Sequence, residues 1–210
     1  EIRTPMNGMI GMIEVLATIN PNEEQQRAIG TIRNSAFSLL RIIDDILDAS
    51  KIDAGKMLIE TSRTELRPVI ESVALTMQTM ADNMGVRIVL GVNRKVPRWI
   101  LADSGRLRQI MLNLLSNAIK YSSKDLMGRP STIYFLVEMA EKNLIKFEFQ
   151  DQGIGMSHEL LEKNEPFIQS ETANTEKVKG TGLGLVITQK LVQQMGGQIL
   201  AQSTRGKGTT

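Results

Sequence analysis

At 210 residues, with 41% apolar and 23% charged side chains, the chain has globular rather than disordered composition and room for two small domains. Its 25 Lys+Arg against 23 Asp+Glu leave a net charge of +2, and the basic residues are scattered, which excludes nucleic acid as a primary partner. Zero cysteines exclude disulfides, thiol catalysis and thiolate metal sites, and a single histidine makes a zinc site hard to build, so a catalytic metal would be oxygen-bound, as magnesium is.

The first element is a helix. Ile2, Pro5, Met9, Met12, Leu16 and Ile19 recur at steps of three and four, widened by Met6, Ile13 and Ala17, which makes one apolar face. Asn20 as cap, Pro21 in the first turn and Glu23 three residues after the cap predict the start of a second helix. In it Ile29, Ile32, Ala36, Leu39, Ile43 and Ile46 keep a heptad rhythm, flanked by Leu40 and Leu47, until Gly55, a rod of roughly 45 Å for about 30 residues. Stripes this wide are not covered by pairing two helices alone. Either a second copy completes a four-helix bundle or the rest of the same chain packs on them, and periodicity does not choose. Pro5 is harmless in a first turn, but in a helix interior it would free the carbonyl of residue 1 and kink the chain there.

From residue 56 the pattern alternates. "KMLIE" reads as a short strand, Leu66 to Met84 as a helix ended by Gly85, "VRIVLGV" as a strand and Ser104 to Ile119 as a helix. "STIYFLVEMA" and "NLIKFEFQD" read as strands, and Leu183 to Met195 as a helix closed by Gly196 and Gly197. Helices segregated to one side of the strands predict an α+β sandwich. Glu1 already stands inside a helical pattern and "GKGTT" looks like a turn entering a strand, so a longer parent chain is expected.

Four stretches carry chemistry. In "RLRQIMLNLLSNAIKYS", Asn113, Asn117 and Lys120 fall on one helix face. Carboxamides are poor residues for a helix interior, and a magnesium-phosphate site would explain them as well as a polar stripe facing water would. "DQGIGM" places Asp151 at a strand end before Gly153 and Gly155, weak on its own because many strand-to-loop turns look alike. "KGTGLGLVITQKLV" puts Gly180, Gly182 and Gly184 at the mouth of a helix, where free N–H groups hold phosphate. It is neither a P-loop, lacking G-K-[ST], nor a dinucleotide fingerprint, since Leu185 takes the third glycine's place. "GKGTT" repeats the glycine theme.

In this order the four stretches resemble the N, G1, G2 and G3 boxes of the ATP-binding domain shared by histidine kinases, gyrase, Hsp90 and MutL, the GHKL type. "EPFIQSE" resembles the F box of the kinase branch, and the opening "EIRTPMNGMIGM" resembles the phospho-acceptor box of sensor histidine kinases, in which a histidine directly precedes the acidic residue. The likeness covers nearly the whole chain and is greatest to hybrid sensor kinases. It implies a dimerisation and phosphotransfer hairpin over residues 1–55, dimeric as a four-helix bundle, and a GHKL α/β sandwich over 56–210. ATP and magnesium would be the cofactors, and a receiver domain, in cis or in trans, the partner. With no apolar run near the roughly 18–20 residues a bilayer requires, the chain would be the cytoplasmic portion of a membrane-anchored sensor.

Carried across by position, the resemblance implies that Asp151 accepts a hydrogen bond from the adenine amino group and that Asn117 holds magnesium. Asn113 and Lys120 would face the phosphates, and Tyr121 the nucleoside. Gly153 and Gly155 would let backbone approach adenine, and Gly180, Gly182 and Gly184 would shape the phosphate loop. Glu1 would orient or deprotonate the acceptor imidazole, and Thr4 would position water for dephosphorylation of the receiver. Asn164 departs from the F box, where a Phe is usual, which bears on the lid over about 160–180. His158, the one histidine, is expected to be a solvated flank of that lid, so the acceptor is expected directly before Glu1. Two rival functions remain: a gyrase-type ATPase without a histidine acceptor, and a dimeric scaffold that binds nucleotide without catalysis.

Overall fold

The computed structural model describes residues 2–122, 131–156 and 183–210. The chain divides into two compact units, Glu1–Met57 and Leu58–Thr210.

The first unit is a hairpin of α1 (Arg3–Thr18) and α2 (Glu23–Asp53). Pro5 is the third residue of α1. Asn20 does not cap α2; it takes a left-handed conformation, φ 46°, after α1. The cap is Asn22, whose side chain accepts the Gln25 N–H at 2.9 Å while Gln25 returns a bond to the Asn22 N–H at 2.9 Å, a reciprocal box two residues later than the sequence suggests. At the far end Gly55 adopts φ 65°. Its N–H donates to Ile52 and that of Lys56 to Lys51, the paired bonds of a Schellman stop.

The heptad splits between two faces. Ile29, Ala36 and Ile43, each seven residues apart, pack with Leu40 against Met6, Ile10 and Ile13 of α1. Ile32, Leu39 and Ile46, the alternate heptad positions, remain exposed. On α1 the main predicted stripe is likewise the uncovered one: Met9, Met12, Leu16 and Ile19 are exposed, and the buried contacts belong to Met6 and Ile13. A two-helix interface engages only one narrow seam per helix, which leaves the second seam bare.

The second unit runs β1 (Ser62–Glu65), α3 (Leu66–Met84), β2 (Val86–Val92), β3 (Trp99–Ala102), α4 (Ser104–Tyr121), β4 (Ser131–Met139), a 3-10 turn (Glu141–Asn143) and β5 (Ile145–Gln150). It ends with α5 (Gly184–Gln194) and the short pair β6 (Ser203–Thr204) and β7 (Gly208–Thr209). Among the described residues the sheet orders β2-β4-β5, with β2 parallel and β5 antiparallel to β4. β1 pairs with β3, and β6 with β7. The expected strand at "KMLIE" does not form; pairing begins at Ser62, opposite Ala102, because a strand needs a partner and that partner, "WILA", is remote in sequence. Leu66, Ile70 and Val73 of α3 and Met111, Leu115 and Ile119 of α4 are buried with Ile133, Phe135 and Val137 of β4. Phe135 and Phe149 stack with centroids 4.6 Å apart. Helices on one face of a mixed sheet make an α/β sandwich, with α5 packed beside α4.

Candidate nucleotide site

The candidate residues lie on α4, at the end of β5 and at the start of α5, with the β6–β7 hairpin beside Asp151. Burial of Leu107, Met111, Leu115, Ala118 and Ile119 on the core side fixes the rotation of α4, and this brings Asn113, Asn117 and Lys120 together on one half-buried face. Asn113 Nδ2 donates to Thr188 Oγ1 of α5 at 3.4 Å. Gly184, the first residue of α5, faces the same Asn113: a Cβ there would lie 3.8 Å from its side chain, an ordinary contact. The Asn117 carboxamide makes no hydrogen bond among the described residues, and its oxygen is a hard donor of the kind magnesium takes. No group of three His, Cys, Asp or Glu that could hold a metal occurs among the described residues.

Asp151 follows β5. Its N–H donates to the Thr209 carbonyl at 2.8 Å, and its Oδ1 accepts the N–H groups of Gly153 at 2.8 Å and Thr209 at 3.2 Å. Both bonds fall on one oxygen, so Oδ2 accepts nothing among the described residues. Burial pushes the carboxyl above its ordinary value, and the two N–H bonds oppose that rise without cancelling it. Asp151, Ser203 and Thr209 line an open pocket of about 390 Å³ together with Gln150, Gln202 and Lys207. The polar residues of α4 are not among its walls.

The glycines after Asp151 approach protein backbone closely. A Cβ on Gly153 would stand 2.1 Å from the Tyr121 carbonyl oxygen, and one on Gly155, at φ 63°, 2.2 Å from that of Thr204. The Ile154 N–H donates to the Tyr121 carbonyl at 3.2 Å, and the Ile154 carbonyl accepts from Gly206 at 2.7 Å. This loop is therefore clamped between the end of α4 and the β6–β7 turn, which the sequence alone did not indicate. Thr209 and Ser203 were not singled out either; the only signal for them was the repeated glycine of "GKGTT".

Asn113, Asn117, Lys120, Tyr121, Asp151, Gly153, Gly155 and Gly184 all fall in this second unit. Thr4 is exposed in the first turn of α1, in the other unit. Glu1, His158, Asn164, Gly180, Gly182 and the expected lid lie outside the described residues.

Two families match. One, described as "Histidine kinase-, DNA gyrase B-, and HSP90-like ATPase", covers residues 102–210; the other, "His Kinase A (phospho-acceptor) domain", covers residues 1–55. A curated relative, "Hybrid signal transduction histidine kinase A" of Dictyostelium discoideum, is 38% identical over all of this chain and 10% of its own length. The chain spans 10% to 29% of the first curated relatives it matches. Among solved structures, full-length ShkA in complex with AMPPNP aligns over 99% of this chain and 42% of its own, with 28% identity and a TM-score of 0.77. The fold is also that of histidine kinase ThkA in complex with response regulator protein TrrA, at 23% identity and a TM-score of 0.61, over 99% of this chain and 56% of the other.

Proposed function

We propose, from the premise that this chain belongs to the protein-histidine kinases, within the histidine kinase-, DNA gyrase B- and HSP90-like ATPase family, that it is the core of an ATP-dependent autokinase. The acceptor is a histidine directly before Glu1, and the phosphoryl group passes on to a receiver aspartate. The observation that carries the nucleotide half of this reading is the Asp151 carboxylate. One of its oxygens is fixed by Gly153 and Thr209 and the other is open, an orientation suited to the amino group of adenine.

Asn117 offers the oxygen for magnesium, Asn113 and Lys120 face the phosphates, and Gly184 brings the bare start of α5 beside Asn113. Magnesium, when bound, neutralises charge on the phosphates and orients the terminal phosphoryl group. Glu1 orients the acceptor imidazole and takes its proton as the N–P bond forms and the bond to the ADP oxygen breaks. Positioning and charge neutralisation supply most of the rate. Thr4, one turn from the acceptor, orients water for hydrolysis of the phosphorylated receiver. The uncovered seam of Ile32, Leu39 and Ile46 supports a homodimer through the hairpin, and the parent protein's membrane attachment would come from regions outside this chain. Among the described residues no helix is long and apolar enough to cross a membrane.

A gyrase-type ATPase would have no use for a phospho-acceptor hairpin, and the match of residues 1–55 favours the kinase over it and over an inert scaffold. The test is a titration of Asp151→Asn with ATP and GTP. Loss of one charge-assisted hydrogen bond costs about 1.5–3 kcal/mol, so ATP affinity should fall by roughly tenfold or more. An unchanged affinity would remove Asp151 from the site.

A further inference from the structure

In the β1–β3 pair Arg63 lies opposite Leu101 and Glu65 opposite Trp99, and side chains at facing positions share one side of a sheet. The residues between them turn inward: Thr64 and Ala102 are buried, and Ile100 packs against the core. The outer side therefore carries Trp99, 42% exposed, beside Leu101, 80% exposed, and Trp99 is the chain's single tryptophan. Guanidinium groups flank its ring. That of Arg63 lies 4.6 Å and that of Arg98 5.7 Å from the ring centroid, and Arg98 Nε donates to Glu65 Oε1 at 2.9 Å. The turn entering β3 adds Arg94 and Lys95, both exposed. The one carboxylate on the outer side of the pair is thus taken by Arg98, and Arg63 forms no ion pair among the described residues. A guanidinium lying over an indole keeps its N–H edge open and is already held in place, so it takes a carboxylate at little further cost in ordering.

We propose that the outer side of β1–β3 is a docking surface for an acidic protein segment, whose carboxylates meet the Arg63 and Arg98 guanidiniums and whose apolar side chain covers Trp99 and Leu101. Charge selects the occupant: Arg63, Arg94, Lys95 and Arg98 face the single carboxylate of Glu65, in a chain whose net charge is only +2. Tryptophan and arginine are also the residues that most often anchor protein–protein contacts. Nucleic acid fits less well, because base stacking needs a free aromatic face and this ring already carries two guanidiniums. Membrane binding draws on the long apolar face of an amphipathic helix, which two side chains on a short sheet do not supply.

The probe is a short fluorescein-labelled peptide of Glu, Asp and Leu, compared with a twin in which Gln and Asn replace the acids, each titrated with the 210-residue chain. Anisotropy of the label gives the affinity, and emission of Trp99 reports the place. The acidic peptide should bind saturably, shift the Trp99 emission and bind about tenfold or more tighter than its twin, a charged hydrogen bond's worth. Arg63→Gln should weaken it by about tenfold, whereas Arg27→Gln, the same loss of charge on α2, should leave the affinity unchanged. Leu101→Ser should weaken it about threefold or more. Absence of saturable binding, or equal weakening by Arg63→Gln and Arg27→Gln, overturns the proposal. Tighter binding to polyuridylate or to vesicles of phosphatidylserine and phosphatidylcholine in equal parts overturns it as well. If Arg63→Gln does not fold, an unchanged affinity in Leu101→Ser, whose exposed side chain supports nothing in the fold, is enough to overturn it.

Discussion

Gly153→Ala and Gly184→Ala should separate glycines required by packing from those that leave room for a ligand. At Gly153 a Cβ would lie 2.1 Å from the Tyr121 carbonyl oxygen and 2.7 Å from its carbon. These are backbone atoms at the end of a helix anchored in the core, so the loop rather than α4 must move. Moving it breaks the Ile154 N–H bond to Tyr121 and pulls at the Gly153 bond to Asp151. Overpacking costs about 1–3 kcal/mol and a lost hydrogen bond about 0.5–1.5 kcal/mol, together about 2–4 kcal/mol. At roughly 2–4 °C per kcal/mol for a unit of this size, the ATP-binding unit should melt roughly 5–15 °C lower, with ATP affinity reduced because Asp151 is no longer held. At Gly184 the new Cβ would meet the Asn113 side chain at 3.8 Å, which is ordinary contact, and alanine is the better helix residue. Gly184→Ala should thus melt at or above the wild-type temperature. Circular dichroism melts and ATP titrations on the two variants read both quantities. Equal melting temperatures for Gly153→Ala and wild type would refute the clamp between α4 and this loop.

The site and the hairpin yield further expectations. Asn117→Ala should leave adenosine binding intact and abolish the magnesium-dependent part of ATP binding; an unaltered magnesium dependence, by calorimetry with and without chelator, places the ligand elsewhere. Leu39→Glu with Ile46→Glu should give helical monomers, because both lie on the uncovered seam. Ile43→Glu should instead lose helicity, since Ile43 packs against α1 within its own chain. Dimers of the double variant by light scattering would move the interface. Burial raises the folded-state value of the Asp151 carboxyl above its ordinary 3.8, so folding favours the neutral form. That contribution is complete below 3.8 and is lost as pH rises through the raised value. Asp151→Asn, neutral throughout, should therefore melt above wild type at pH 7 without ligand, with the gap closing as the pH falls into the carboxylate range; a pH-independent gap contradicts this.

Local signals placed most elements, and contacts between distant residues account for what they missed. Leu66 to Met84 is legible because Gly85 ends it, at φ 65°, and "VRIVLGV" because Val and Ile dominate it, with Arg87 its one charged residue. "KMLIE" has the composition of a strand but no partner, and a pairing partner is not a local property. The heptad of α2 announced an interface without saying which seam faces α1. The register with Met6 and Ile13 decides that, and two antiparallel helices could satisfy the same periodicity in more than one rotation. Asp151 was visible at a strand end, whereas its restraint by Thr209, 58 residues away, was not. The mid-helix amides were legible because carboxamides need a reason to be there; Ser203 and Thr209 were not, because small hydroxyl residues are ordinary in a turn.

Phosphoryl transfer to histidine is read by incubating the chain, extended by one histidine before Glu1, with magnesium and ATP labelled at the γ-phosphate. Label should appear on the protein, stable to base, labile to acid and lost when that histidine is replaced by glutamine. Glu1→Gln should lower its rate roughly 10²-fold or more, while Thr4→Ala should leave the rate near that of the parent. ATP hydrolysis without protein-bound label, or label that survives acid and the loss of the histidine, would contradict it.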